Sequence, residues 1–226
     1  MTELKNNAKI NGRREKLKRI YIDFDSTLFN TGLLKKTIFS AIANEVTKEN
    51  ALKSADNVKL AFETVKHENA DLGFCGICLK TMFSFGLKQE AFEKILKDVL
   101  SHADEFYYSD SLEFLKEISQ KGFEINILTY TRKSDFEFQL SKISRSKIAD
   151  FADNIIICTK AKGELHLDYE NAIFIDDNPR DLISMFNVGV APERLFRIKR
   201  ENAKYSLIKI NEFKTKEFSA LIEIKF

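Results

Sequence analysis

Two aspartates one residue apart, Asp23 and Asp25, close the hydrophobic stretch "RIYIDFD", and Thr27 follows two positions later. Carboxylates that close raise each other's pKa and cost free energy, unless a cation or a reaction uses them. Three further stretches end in chemically useful groups: "NILTYT" in Thr129, Tyr130 and Thr131 with Arg132 behind them, "DNIIICTK" in Lys160 with Lys162 just after, and "NAIFIDD" in Asp176 and Asp177 with Asp181 in the next turn. Clustered carboxylates suit a hard divalent cation; Mg²⁺ takes one or two of them together with waters and substrate phosphate. A carboxylate can also attack phosphorus and carry the phosphoryl group as an aspartyl-phosphate. Asp23, at a strand end, is placed for in-line attack. Asp25 can protonate a leaving oxygen and later activate water. Thr129, nearby backbone N–H groups and a helix N-terminus can hold phosphoryl oxygens, and a lysine can neutralise the charge that develops. These are the parts of a phosphoryl-transfer site.

Such groups converge only if the elements carrying them lie side by side. The four stretches are short, β-branched or aromatic, and apolar almost throughout, as expected for parallel strands covered on both faces. "RLFRIKR" is a plausible fifth strand. Helical spacing separates them: "SDSLEFLKEISQKGF" puts Leu112, Leu115 and Ile118 on one face, starting at an Asp110/Ser111 capping signal and stopping at Gly122. "SDFEFQLSKIS" lies between the second and third strands. "NPRDLISMFNVG" has Asn178 as N-cap, Pro179 at the first helical position and Gly189 beyond its end. The alternation predicts an α/β chain with a Rossmann-like parallel sheet flanked by helices, and ligands at the carboxyl ends of its strands.

The region 32–105 breaks the alternation. "LLKKTIFSAIANEV" and "EAFEKILKDVL" carry helical spacing, and no strand signal lies between them, so a helical insertion follows the first strand. The expected organisation is a basic arm over 1–16, an α/β core over 17–31 and 106–210, the helical insertion over 32–105, and a tail over 211–226. The tail's sequence leaves an edge element or a contact surface open.

The chain of 226 residues carries 36 Lys plus Arg against 34 Asp plus Glu, a balance that argues against a dedicated nucleic-acid binder. No run approaches a membrane span, the opening lacks the apolar segment of a signal peptide, and three cysteines make no disulfide framework. A cytoplasmic protein without a membrane partner is expected. Cys75 and Cys78 stand at CxxC spacing, but His67 and His102 are the only histidines nearby; buried thiols are the expected reading, with a metal or redox role as the alternative.

The order "DFDST", "NILTYT", lysine, "FIDDNPRD" resembles the four motifs of the haloacid dehalogenase superfamily, over roughly residues 17–31 and 106–200. The resemblance implies Asp23 as nucleophile, Asp25 as acid and base, and Mg²⁺ held by the Asp23 side chain, the Asp25 backbone carbonyl and Asp177, with Asp176 in the outer shell. The context "KGELH" favours Lys162 as the site lysine, with Lys160 second. Asp181 either orients that lysine or caps the helix. Thr27, Tyr130, Arg132 and Lys160 are candidates for contacting substrate; for Arg132, a contact to the insertion or a solvated helix start is equally open. The insertion resembles a helical cap of the family's first type, which closes over small phosphorylated substrates. Ser26 stands where many members have Gly, with a small effect expected on the turn.

Receiver domains share these residue types but place the acidic pair before the phospho-acceptor, the reverse of the order here. Dehalogenases of the family lack the second aspartate, and its presence favours phosphatase or phosphotransferase chemistry. The alternatives are a phosphotransferase or phosphomutase using the same intermediate, or a low-turnover regulatory protein on the same fold. Substrate identity and oligomeric state have no signature in the sequence.

Overall fold

A computed structural model describes residues 18–49, 54–169, 171–201 and 203–226; the basic arm lies outside them. Among the described residues the chain forms six strands: β1 (Arg19–Ile22), β2 (Glu124–Tyr130), β3 (Asn154–Cys158), β4 (Ile173–Asp176), β5 (Leu195–Ile198) and β6 (Lys216–Phe218). They pair in parallel in the order β3-β2-β1-β4-β5-β6. This is the expected α/β architecture. Because the order reverses at β1, a crevice opens between β1 and β4 at their carboxyl ends, the position where open sheets of this kind bind ligands.

Period-two alternation divides the core. Ile20 and Ile22 of β1 enter one apolar cluster with Ile125, Ile127, Phe114 and Leu115, while Tyr21 enters another with Phe174, Leu182 and Met185. Helix α5 (Ser111–Gln120) therefore covers one face and α7 (Pro179–Asn187) the other. Two expectations need correction. β3 is not covered on both faces: it is an edge strand, and Ile155 is 38% exposed. Asp110 does not cap α5 through its side chain, because its carboxylate is taken by Arg200 and by the backbone N–H of Leu221. The expected N-cap of α7 is present, with the Asn178 side chain accepting from the Arg180 N–H and Pro179 first in the helix.

Between β1 and β2 the chain forms α1 (Thr31–Glu49), α2 (Ala55–Glu68), α3 (Phe74–Ser84) and α4 (Gln89–Leu100). α1 and α3 each pack on both α2 and α4. Leu34, Ile38, Ile42, Val58, Phe62, Met82, Phe92 and Ile95 are buried there. Cys75 and Cys78 are free and sit in α3; burial, with Asp135 beside it, pushes the Cys75 thiol up to about 12, so these are packed thiols.

The tail supplies β6 at the sheet edge and a plug beyond it. Leu221 and Ile224 are buried, and the Phe226 ring contacts Phe114, Phe123 and Phe196. No helix of the described residues is long and apolar enough to cross a membrane.

Candidate active site

Asp23 is the first residue past β1, held at the crevice by its backbone N–H donating to the Ile175 carbonyl at 2.9 Å. Asp176 ends β4 beside it. Lys162, in a short turn after β3, is 2% exposed and reaches under both: its Nζ donates to Asp23 Oδ1 and to Asp176 Oδ2, each at 2.6 Å, with Asp181 Oδ2 at 3.8 Å. The geometry selects Lys162 over Lys160, which is exposed. Asp181 both faces this lysine and accepts from the Asn178 amide at 2.9 Å.

Asp177 is buried, and its Oδ2 has no hydrogen-bond partner. Carboxylate oxygens of Asp23, Asp176 and Asp177 come within 4.8 Å of one another. Burial, followed by the negative charge of Asp176, pushes Asp177 up to about 8; Asp176, buried but steadied by Lys162, rises to about 6. Burial lifts Asp23 well above the usual carboxylate range despite Lys162. For Lys162 burial acts downward, yet Asp176, Asp23 and Asp181 together hold it well above the ordinary lysine value. One ammonium therefore serves three carboxylates, and Asp177 stands beside them without a contact to it. An orphaned oxygen in an all-oxygen donor set fits a hard divalent cation. Asp176 has both oxygens engaged, by Lys162 and by the Asn178 N–H at 2.8 Å, which leaves Asp177 as the acid at β4's end with an unpartnered oxygen.

Asp25 is differently placed. Its Oδ1 accepts from Lys142 Nζ and Thr31 Oγ1, both at 2.5 Å, and its Oδ2 accepts from Gln139 Nε2 at 2.6 Å. Burial pushes its pKa up, but Lys142, Thr31 and Gln139 outweigh this and bring it below the usual value. Asp25 is thus gripped at both oxygens by three donors, with the Lys142 ammonium beside it. Gln139 also donates to Thr129 Oγ1 at 3.0 Å, tying the ends of β1 and β2 together.

The remaining candidates divide. Thr27 is fully buried with its Oγ1 unpartnered, and its carbonyl accepts from Arg200. Tyr130 is 48% exposed at the end of β2. Arg132 binds the insertion: its Nη1 donates to the carbonyls of Ala70 and Leu72, both at 2.7 Å. Beside it Asp135 accepts from the Phe74 and Cys75 N–H groups, at 2.6 and 3.1 Å, and so caps α3 from the core. Gly73 is required for that approach, since a Cβ there would lie 2.2 Å from Asp135 Oδ2.

Sequence reasoning missed Lys142 and Gln139. Both lie on α6 (Phe136–Ser144), and the signal was present: Asp135, Gln139, Lys142 and Ser146 form a polar stripe at helical spacing, and all four are buried.

No family model and no curated protein matches this sequence. Solved structures do. YfnB of Bacillus subtilis, described as a HAD-hydrolase and solved bound to magnesium, aligns over 92% of this chain and 97% of its own with a TM-score of 0.64 at 12% identity. A HAD phosphatase from Thermococcus onnurineus aligns over 92% and 95%, with a TM-score of 0.63 at 17% identity. The L-2-haloacid dehalogenase of Xanthobacter autotrophicus aligns over 92% and 96%, with a TM-score of 0.58 at 13% identity. The chain has the haloacid dehalogenase fold. That fold carries both phosphatases and dehalogenases among its structural neighbours, so the choice of reaction rests on the residues of the site.

Proposed function

We propose that this haloacid dehalogenase-fold protein is a Mg²⁺-dependent phosphatase that hydrolyses a small phosphorylated metabolite through an aspartyl-phosphate at Asp23. The observation that carries this reading is the surplus of buried carboxylate at Asp23, Asp176 and Asp177, with the unpartnered oxygen of Asp177. Asp23, Asp177 and the Asp25 backbone carbonyl would hold the cation. Bound there, it screens the phosphoryl oxygens from the acids and lowers the nucleophile's pKa.

The chain's own groups supply the rest. An Asp23 oxygen attacks phosphorus as the ester P–O bond breaks, and the leaving oxygen takes a proton that Lys142 supplies through Asp25. Lys162, locked between Asp23 and Asp176, keeps the nucleophile's rotamer and offsets charge in the transition state. Asp25 then takes a proton from the water that attacks the phosphoryl group, releasing inorganic phosphate and restoring Asp23. The Lys142–Asp25 hydrogen bond places an exchangeable proton beside that carboxylate. A second carboxylate so equipped supports phosphoester hydrolysis over dehalogenation, which has no leaving alkoxide to protonate. The helices α1–α4 act as a cap over the crevice, and Arg132 with Asp135 fastens them to the core.

Hydrolysis of an aryl phosphate with Mg²⁺, with chelator, and by Asp23→Asn tests the reading. Metal-dependent turnover that falls at least about 10⁴-fold in the variant is expected. Turnover that survives chelation and the substitution would overturn it.

A further inference from the structure

Resting on the phosphatase reading, we propose that Lys35 is a specificity-determining residue that binds a second anionic group of the substrate, a carboxylate or a second phosphate.

Helix α1 begins at the site, where Thr31 donates to Asp25 Oδ1. Lys35 lies four residues on, so it shares the face of α1 that Thr31 turns toward Asp25, about one helical turn higher. Its Nζ stands 5.3 Å from the centroid of the Phe74 ring, at the start of α3. Phe74 in turn stacks on Phe138 of α6 at 5.5 Å, and Lys142 Nζ lies 5.3 Å from the Phe138 centroid. Two stacked rings, one from the insertion and one from the core, therefore carry a lysine each, both on the approach to Asp25.

The two lysines differ in charge balance. Lys142 is neutralised by Asp25. Lys35 has no hydrogen bond and no ion pair among the described residues. Lys66, on α2 nearby, has Glu63 at 2.6 Å. Lys204, from the segment after β5, rests on Tyr205, with its Nζ 2.8 Å from the phenol oxygen. Lys35 is exposed to solvent, with its Nζ against the Phe74 ring. The surrounding protein lowers its pKa, Asp25 acts upward, and Lys142, Lys204 and Lys66 act downward again. An uncompensated ammonium held above a phosphoryl site gains most from an anion the protein itself does not provide. A substrate with a single phosphate engages the carboxylate cluster and its cation; only a second negative group reaches Lys35.

The experiment measures kcat and KM with Mg²⁺ for three matched series of increasing chain length: neutral alkyl phosphates, ω-carboxyalkyl phosphates and alkane bisphosphates. At one chain length, wild type is expected to prefer an anionic member over its neutral counterpart by about tenfold in kcat/KM, with the difference in KM. Lys35→Gln should bring that ratio close to one, and Lys35→Arg should keep it. A purely structural cation–π role on Phe74 would change stability and leave the ratio alone. Equal use of neutral and anionic series by wild type, or an unchanged ratio in Lys35→Gln, would overturn the proposal. Calorimetric binding of the same compounds to Asp23→Asn, with and without Lys35→Gln, reads the ratio without turnover. A failed phosphatase reading is thereby separated from a failed Lys35 assignment, and the carboxylate and bisphosphate arms identify the second anion.

Discussion

Two buried ionic clusters lie on either side of the turn after β1, and their charge balance is opposite. At one, Arg200 grips Asp110 through two bonds of 2.8 Å, takes the Thr27 carbonyl at 2.9 Å, and lies over the Tyr108 ring, while the Leu221 N–H completes Asp110. Every charge there is matched. At the other, Lys162 is, among the described residues, the sole ammonium in contact with Asp23, Asp176 and Asp181, and Asp177 keeps an unpartnered oxygen. A matched cluster fixes structure: Arg200 joins the turn after β1, the start of α5 and the C-terminal tail. A mismatched one stores a demand for cation, which marks chemistry.

The difference can be broken most severely at the matched cluster. Arg200→Met leaves Asp110 buried and alone, and urea unfolding should show a loss of about 3–5 kcal/mol. Asp177→Asn should act in the opposite sense in metal-free protein, raising the midpoint, because it removes repulsion that nothing offsets. If Asp177→Asn instead destabilises the metal-free chain, Asp177 has a partner in solution and the site is not short of positive charge.

Adding the cation sharpens the same contrast. At 100 times its Kd, Mg²⁺ should stabilise the protein by about 2.7 kcal/mol, and Asp177→Asn should abolish most of that response. Arg200→Met, if it remains folded, should keep it. A thermal shift of equal size in the Asp177 variant would place the metal elsewhere.

The short, apolar strand segments and the acids at their ends were legible because each is local: a run of β-branched residues, a carboxylate where the run stops. Asp23, Asp176 and Asp177 were found this way, Lys162 was preferred over Lys160 through the family resemblance, and the structure brings the four together. What escaped notice was set by tertiary placement. Asp110 sits at an N-cap position in sequence, yet Arg200, ninety residues away, takes its carboxylate. Asp135 precedes α6 but caps α3, sixty-one residues earlier. Lys142 and Gln139 lay on a polar stripe at helical spacing that reads as a solvated face, and their burial shows only once Asp25 is placed opposite. The tail was unread because its three-residue strand has no pattern of its own and gains its role from the exposed edge of β5.

The pH dependence follows from the mismatched cluster. Asp177, at about 8 in the folded chain, lies above its unfolded value, and Asp23 and Asp176 are raised as well. Raised carboxylates make the folded state bind more protons than the unfolded one, so metal-free stability falls as pH rises from about 4 toward 8. Asp25 is shifted downward and contributes the reverse slope, lost only as pH falls through its own folded value. Thermal midpoints taken without metal should therefore decline from pH 5 to pH 8, and Mg²⁺ should flatten the decline. A metal-free midpoint that rises over that interval would mean the acids are already compensated.

The smallest expected effect lies in the turn between the two clusters. Ser26 has φ +62°, in the left-handed region, while its N–H donates to the Phe29 carbonyl at 2.8 Å. The turns that only end helices, at Gly122 and Gly189, use glycine for the same conformation. Ser26 adopts it between Asp25 and Thr27, where the turn must aim one carboxylate at Lys142 and hand the Thr27 carbonyl to Arg200. A non-glycine residue there costs roughly 1–2 kcal/mol, and glycine returns part of that as unfolded-state entropy, so Ser26→Gly should gain about 0.5–1 kcal/mol net. Urea midpoints measure this directly. A gain would mean that the turn next to Asp23 carries strain as well as surplus charge, both offset by the matched cluster beyond it. A loss of stability would mean that the serine side chain contributes more than its backbone costs, and that the strain ends where the carboxylates begin.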